Sequence, residues 1–290
     1  MRATAGALRS LALAASASLL AIAAAAAQAP VPRTPAHAQV PLPSSELRTL
    51  RSAATGRDYD IYVFLPDSYA VRPTARYPVL YLLDGQWDFK LLHSIQGGLI
   101  YDRVLPRIMI VGITYSGESP DYGALRASDY TTTPTPRVAG SGGAPRFLSF
   151  VRNELIPFIE TNYRADTAPS QRALMGSSYG GLFTLYALFS DPALFGGYVA
   201  ASPSVGYGGR FSFRQEAEYA AAHRDLPVRL FIAVGEREDL AGPVQEFMRM
   251  VRGRGYSGLR LETRVIEGEG HSGNKPEAYN RGLRFVMGNP

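Results

Sequence analysis

The chain has 290 residues, 46% hydrophobic and 19% charged, with 29 Gly, 21 Pro and no Cys. This suits one large α/β domain and excludes a mostly disordered chain, a collagen-like fibre, a disulfide scaffold, a thiol nucleophile and cysteine-ligated metal. The net charge of +5 is diffuse, carried almost wholly by Arg with Lys90 and Lys275 the only lysines, so no nucleic-acid partner is expected.

Arg2 and Arg9 precede an uncharged stretch, Leu11 to Ala27, and then two small-residue sites, Ala27-Gln28-Ala29 and Ala36-His37-Ala38. This is the layout of a secretory signal peptide. Residues 1–38 are therefore read as a signal peptide with a Pro/Ala-rich leader, and 39–290 as the catalytic domain. Cleavage could follow Ala27, Ala29 or Ala38. No later apolar run is long enough to span a bilayer. A periplasmic or secreted product with no stable membrane span is expected.

Residues 30 to 45 should be extended. Tyr59 to Leu65 alternates as an outer strand does, and Pro66 ends it. Tyr77 to Leu83, Arg107 to Ile113, Arg172 to Met175, Tyr198 to Ala201 and Val228 to Val234 are apolar runs of the kind found in strands covered on both faces. Leu259 to Ile266 alternates again. Helical spacing links Phe147, Phe150, Val151, Leu155 and Phe158, then Leu182 to Phe189, then Val244, Phe247, Met248 and Val251. Repeated β-then-α units predict a mostly parallel central sheet with helices on both faces. The stretch from Tyr115 to Gly143 reads as one long irregular rim or lid.

The chemistry centres on Gly176-Ser177-Ser178-Tyr179-Gly180, a G-x-S-x-G motif between a short apolar strand and an amphipathic helix. A serine on such a sharp turn is exposed for attack, and the helix that follows favours developing negative charge. A hydroxyl needs a base to take its proton. His271, in a small-residue loop after the last strand, is the candidate. His93 and His223 read as packing and helix-end residues. The acid that orients the base should follow the strand Val228 to Val234, where Glu236, Glu238 and Asp239 compete. Glu238, three residues past Gly235, ranks first. The amides of Tyr179 and Gln86 are the expected oxyanion donors. Asp84 should pin the Gln86 loop by accepting backbone hydrogen bonds. Trp87, the only Trp, could wall the acyl pocket.

With these residues in place the chain resembles the α/β-hydrolase "putative esterase" family over roughly Arg48 to Val286. Within it, the resemblance is to siderophore (enterobactin-type) esterases. It rests on Tyr81-Leu82-Leu83-Asp84-Gly85-Gln86, Arg126-Ala127-Ser128-Asp129-Tyr130-Thr131, Glu154-Leu155-Ile156-Pro157-Phe158-Ile159, the Ser178 elbow and Ser202-Pro203-Ser204. The resemblance implies the α/β-hydrolase fold, and ester hydrolysis by Ser178 and His271 with an acid after the seventh strand. The substrate would be a small-molecule ester, of siderophore type or with a small acyl group. No metal or other cofactor is expected, because no phosphate-loop, H-E-x-x-H or dinucleotide motif is present. Arg126 is expected to pair with Asp129 or fix the rim, or to join Arg103 and Arg107 in a basic cluster. Trp87, Arg126 and Tyr207, the last in the small-residue stretch after Ser204, are candidates to face substrate. An acyltransferase using the same acyl-enzyme and a catalytically silent binding protein on this fold remain alternatives. The sequence leaves the oligomeric state open.

Overall fold

The apolar runs become the inner strands of an eight-stranded sheet in the computed structural model, which describes residues 41–289. The signal peptide and its cleavage sites lie outside the described residues. In chain order the elements are β1 (Ser45–Arg51), β2 (Asp58–Phe64), β3 (Val79–Leu82), α1 (Gly85–Tyr101), β4 (Met109–Tyr115), α2 (Tyr122–Tyr130), α3 (Ala144–Phe150) and α4 (Ile156–Asn162). The second half alternates regularly: β5 (Arg172–Ser177), α5 (Tyr179–Ser190), β6 (Gly197–Ala201), α6 (Tyr207–Ala222), β7 (Arg229–Gly235), α7 (Ala241–Arg254), β8 (Arg260–Ile266) and α8 (Lys275–Met287).

The strand order is β1-β2-β4-β3-β5-β6-β7-β8. β1 and β2 run antiparallel to their neighbours, and all pairings from β4 to β8 are parallel. This is the α/β-hydrolase fold. Because side chains alternate across a strand, the sheet splits its apolar residues between two cores. Val79, Tyr81, Leu174 and Ile232 face one side, where Phe147 of α3, Phe183 of α5 and Phe247 of α7 pack. Leu80, Leu82, Met175 and Phe231 face the other, under Phe89 of α1 and Tyr279 of α8. Phe147 and Phe183 meet edge to face at 4.9 Å, and each fully buried aromatic side chain contributes roughly 2–3 kcal/mol.

Three local expectations are corrected. β2 is not an outer strand; β1, which the sequence reading passed over, covers it. β1 exposes most of its length and carries Glu46, Arg48 and Arg51, so no apolar run announces it. The Tyr115 to Gly143 stretch is not wholly irregular, since α2 lies within it. The Asp121 carboxylate caps α2 by accepting the Ala124 N–H at 3.0 Å, as an N-cap acid does. The helical pattern from Phe147 to Phe158 is broken by a π turn at Val151–Leu155. Pro157, without an N–H, stands just after the widened turn.

The strands of the parallel set all end on one edge. There β3 hands over to the Asp84 loop, β5 to Ser178, β6 to Ser202, β7 to Glu238 and β8 to His271. In such sheets, ligands bind beyond the carboxyl ends of the strands.

Candidate active site

Ser178 sits between β5 and α5 with φ 60° and ψ −118°. A non-glycine residue there costs about 1–3 kcal/mol, held in place by its surroundings. Three backbone hydrogen bonds hold it: Ser178 N–H donates to Ala201 O at 3.0 Å, and its carbonyl accepts Leu182 N–H at 2.9 Å and Ser204 N–H at 3.2 Å. The turn is so tight that a Cβ at Gly176 would lie 2.6 Å from the carbonyl carbon of Gly180. That contact explains the glycine two residues before the serine. Ser178 is half-buried.

Glu238 is the buried acid of the three candidates, 9% exposed. Its two oxygens are divided. Oε1 accepts Ser202 Oγ–H at 2.6 Å, Gly235 N–H at 2.6 Å and Asn274 Nδ2–H at 2.8 Å. Oε2 meets His271 Nδ1 at 2.6 Å. A carboxylate can only accept, so Nδ1 carries the proton and Nε2 is left with a free lone pair. The His271 side chain is 44% exposed while that of Glu238 is 2% exposed, so the pair reaches from the core to the surface. Glu236 and Asp239 are exposed, and Glu236 instead accepts Gly268 N–H at 2.9 Å.

Two residues of this network had no role in the sequence reading. Asn274 is fully buried, and its two amide N–H groups, shared with Glu238, also reach Gly270 O at 2.9 Å and His271 O at 2.8 Å. It therefore fixes the histidine loop and the acid together. Ser202 had appeared only within Ser-Pro-Ser. Its position at φ 42°, directly after β6, turns its hydroxyl to Glu238. The one signal for Asn274 was its position three residues past His271 at the start of α8. That end of α8 is tied to α1, where Asp88 accepts Lys275 Nζ–H at 2.9 Å and the Tyr279 hydroxyl. Burial pushes the Asp88 carboxyl pKa up against the opposing pull of Lys275 and Tyr279.

The other two histidines of the described chain lie elsewhere. His93 Nε2 contacts Pro43 O at 3.1 Å, and His223 stacks on Tyr219 at 4.3 Å. No hydrogen bond joins Ser178 Oγ to His271 in this structure. The serine and the imidazole are brought to the same sheet edge through Ser202, which follows the Ala201 carbonyl that holds Ser178 and itself holds Glu238.

The loop after β3 lies beside the elbow: Leu83 N–H donates to Met175 O at 2.9 Å, and a Cβ at Gly180 would be 3.2 Å from Asp84 Oδ2. Neither the Gln86 N–H nor the Tyr179 N–H has an acceptor among the described residues. Two unengaged donors on adjoining loops, each at a helix N-terminus, are what an oxyanion requires.

Arg126 and Asp84 differ from expectation. Arg126 does not reach Asp129, which pairs with Arg57 and accepts Tyr59 Oη–H at 2.7 Å. Arg126 instead forks onto Asp84, Nε to Oδ1 and Nη2 to Oδ2, both at 2.8 Å. Asp84 accordingly accepts a guanidinium rather than backbone N–H groups. Nor do Arg103 and Arg107 join Arg126. Both precede β4, at the opposite edge of the sheet, and Arg107 pairs with Asp67 at 2.6 Å. Trp87 is 51% exposed, with Tyr122 edge-on at 5.9 Å. Tyr207 stands edge-on to Tyr179 at 5.6 Å, and its hydroxyl donates to Thr133 O at 2.9 Å, tying α6 to the rim. Among the described residues, no cluster of three His, Asp or Glu side chains is arranged to hold a metal ion.

Comparison with known proteins shows the family. Residues 52–272 match the family model described as "Putative esterase". The chain belongs to that esterase family. It is 30% identical over 267 residues to the ferri-bacillibactin esterase BesA of Bacillus subtilis, covering 85% of this chain and 90% of the relative. The crystal structure of the BES protein from Bacillus cereus superposes with TM-score 0.77 at 27% identity, covering 88% of this chain and 98% of that one. An IroE-like serine hydrolase from Shewanella oneidensis gives TM-score 0.74 at 26% identity, over 84% and 80% of the two chains. The siderophore esterases among its relatives make this an ester hydrolase of the same family branch. Among the described residues, no helix is long and apolar enough to cross a membrane.

Proposed function

We propose that this chain is an exported serine hydrolase that cleaves carboxylic esters of siderophore type through an acyl-enzyme. The observation that carries the reading is the 2.6 Å contact from buried Glu238 to His271 Nδ1, at the same sheet edge as the strained Ser178 turn. Nε2 of His271 takes the Ser178 proton as Oγ attacks the ester carbonyl. Glu238 holds the ring in that tautomer and stabilises the imidazolium. The Tyr179 and Gln86 amides receive the oxyanion, a contribution of about 3 kcal/mol per donor where single donors have been removed elsewhere. His271 then returns the proton to the leaving alcohol, and water repeats the sequence on the acyl-enzyme. The siderophore substrate class is supported by the names of the relatives, and export by the Arg2-to-Ala38 pattern.

The test is product analysis by liquid chromatography and mass spectrometry. A tris-catecholate trilactone, apo and ferric, is offered beside a small aryl acetate. Ring-opened trilactone at a rate above that of the acetate is the expected result. Turnover of the acetate alone would remove the siderophore class, and an ester formed with an added alcohol in place of acid would make the protein an acyltransferase.

A further inference from the structure

We propose that Arg126 is a positioning residue for the oxyanion hole, acting by holding the Asp84 carboxylate off the Gln86 N–H. The proposal rests on the serine-esterase reading above. Asp84 is the N-cap of α1, so Gly85, Gln86 and Trp87 are its first three helical residues. An aspartate at that position ordinarily accepts the N–H of the second or third helical residue, here Gln86 or Trp87. Asp84 makes no such bond. Its backbone is left-handed, φ 56° and ψ 41°, and its carboxylate is turned into the Arg126 fork. The Asp84 carbonyl takes the Trp87 N–H at 3.0 Å. Of the two amides a capping carboxylate would contact, Gln86 alone stays open.

The arrangement is largely shielded from solvent. The two side chains are 14% and 2% exposed. The guanidinium carbon lies 5.4 Å from the Tyr179 ring centre, 5.7 Å from Trp87 and 5.8 Å from Tyr130. Burial works to lower the Arg126 pKa, and the bonds and charge of Asp84 outweigh it, so the guanidinium stays charged. Arg126 Nη2 also donates to Ser177 O at 3.3 Å. One side chain thus ties the loop that bears Gln86 to the turn that bears Tyr179. Without the fork, the Asp84 carboxylate, two residues before Gln86, is free to take the capping position, where it occupies the donor the oxyanion needs.

The experiment is a double-mutant cycle with kcat and KM measured on an aryl acetate. Wild-type protein is first labelled with a fluorophosphonate. Arg126→Met is expected to lower kcat about 100-fold, the size of one lost oxyanion donor, with KM little changed. Asp84→Gly suits the left-handed backbone and removes the blocking oxygen. The Asp84→Gly/Arg126→Met variant is therefore expected to recover roughly tenfold or more over Arg126→Met. A purely structural ion pair gives the opposite sign, with the double variant no faster than the single. That result, or a folded Arg126→Met with kcat within about threefold of wild type, overturns the proposal. If Arg126→Met does not fold, the double variant is compared with Asp84→Gly alone. Equal kcat is expected, and a roughly tenfold slower double variant contradicts it. Wild type that takes no label overturns the esterase mechanism and this proposal together. A labelled wild type with an unrecovered double variant overturns this proposal alone.

Discussion

Two buried glutamates in this molecule have similar surroundings and different prospects. Glu216 of α6 is fully buried and receives Arg254 through Nε at 3.0 Å and Nη2 at 2.9 Å, with Tyr256 Oη–H at 2.8 Å. Glu238 is as deeply held, by Ser202, Gly235, Asn274 and His271. The difference is the partner. Arg254 keeps its proton at any working pH, so Glu216 is a closed electrostatic unit that fastens α6 to the end of α7. His271 can gain and lose a proton, and its ring is open to solvent. At Glu238, three neutral donors saturate Oε1 and leave Oε2 for the imidazole alone. Burial and hydrogen bonding make either acid structural; an exposed imidazole partner is what gives Glu238 the orienting role in the proposed mechanism.

The comparison breaks first at Glu238→Gln. Its carbonyl oxygen would stay with the three donors, so its NH2 would face His271 Nδ1. That reverses the tautomer and puts the proton on Nε2, where it cannot accept from serine. The expected fall in kcat/KM is about 10⁴-fold, measured on an aryl acetate, with the unfolding midpoint shifted far less. Glu216 should respond in the opposite way. Arg254→Met leaves a buried carboxylate unpaired and should lower unfolding stability by about 3–5 kcal/mol, read by urea titration, with kcat of the folded fraction unchanged. Asn274→Ala removes one donor from the acid and the tether of the histidine loop. A stability loss of about 1–2 kcal/mol with a roughly tenfold fall in kcat is expected, and a change in KM alone would argue against the tether. Asp239→Asn, at an exposed site, should leave activity within about twofold of wild type. A larger effect would show that the acid role is not confined to Glu238.

Much of the fold was legible because its signals are local. The runs in β3, β5, β6 and β7 are apolar on both faces, and the glycines around Ser178 answer to a contact four residues apart. β1 was illegible because only its pairing with β2 gives it order. α2 was hidden because its nine residues include Gly123, Ser128 and Asp129, and the last two are held by distant Arg57 and Tyr59. Spacing ranked Glu238 ahead of Asp239 and Glu236 without settling the choice, since what separates them is burial and the reach of Ser202 and Asn274. The same holds for Arg126: its nearest acidic neighbour in sequence is Asp129, but the α2 helix turns it toward Asp84, 42 positions earlier.

The most direct test of the central claim is intact mass after fluorophosphonate treatment of wild type, Ser178→Ala and His271→Ala. A single adduct on wild type, none on Ser178→Ala and a slowed adduct on His271→Ala is the expected result. An adduct that persists in folded Ser178→Ala, or none on folded wild type, would contradict an activated serine at the β5–α5 turn.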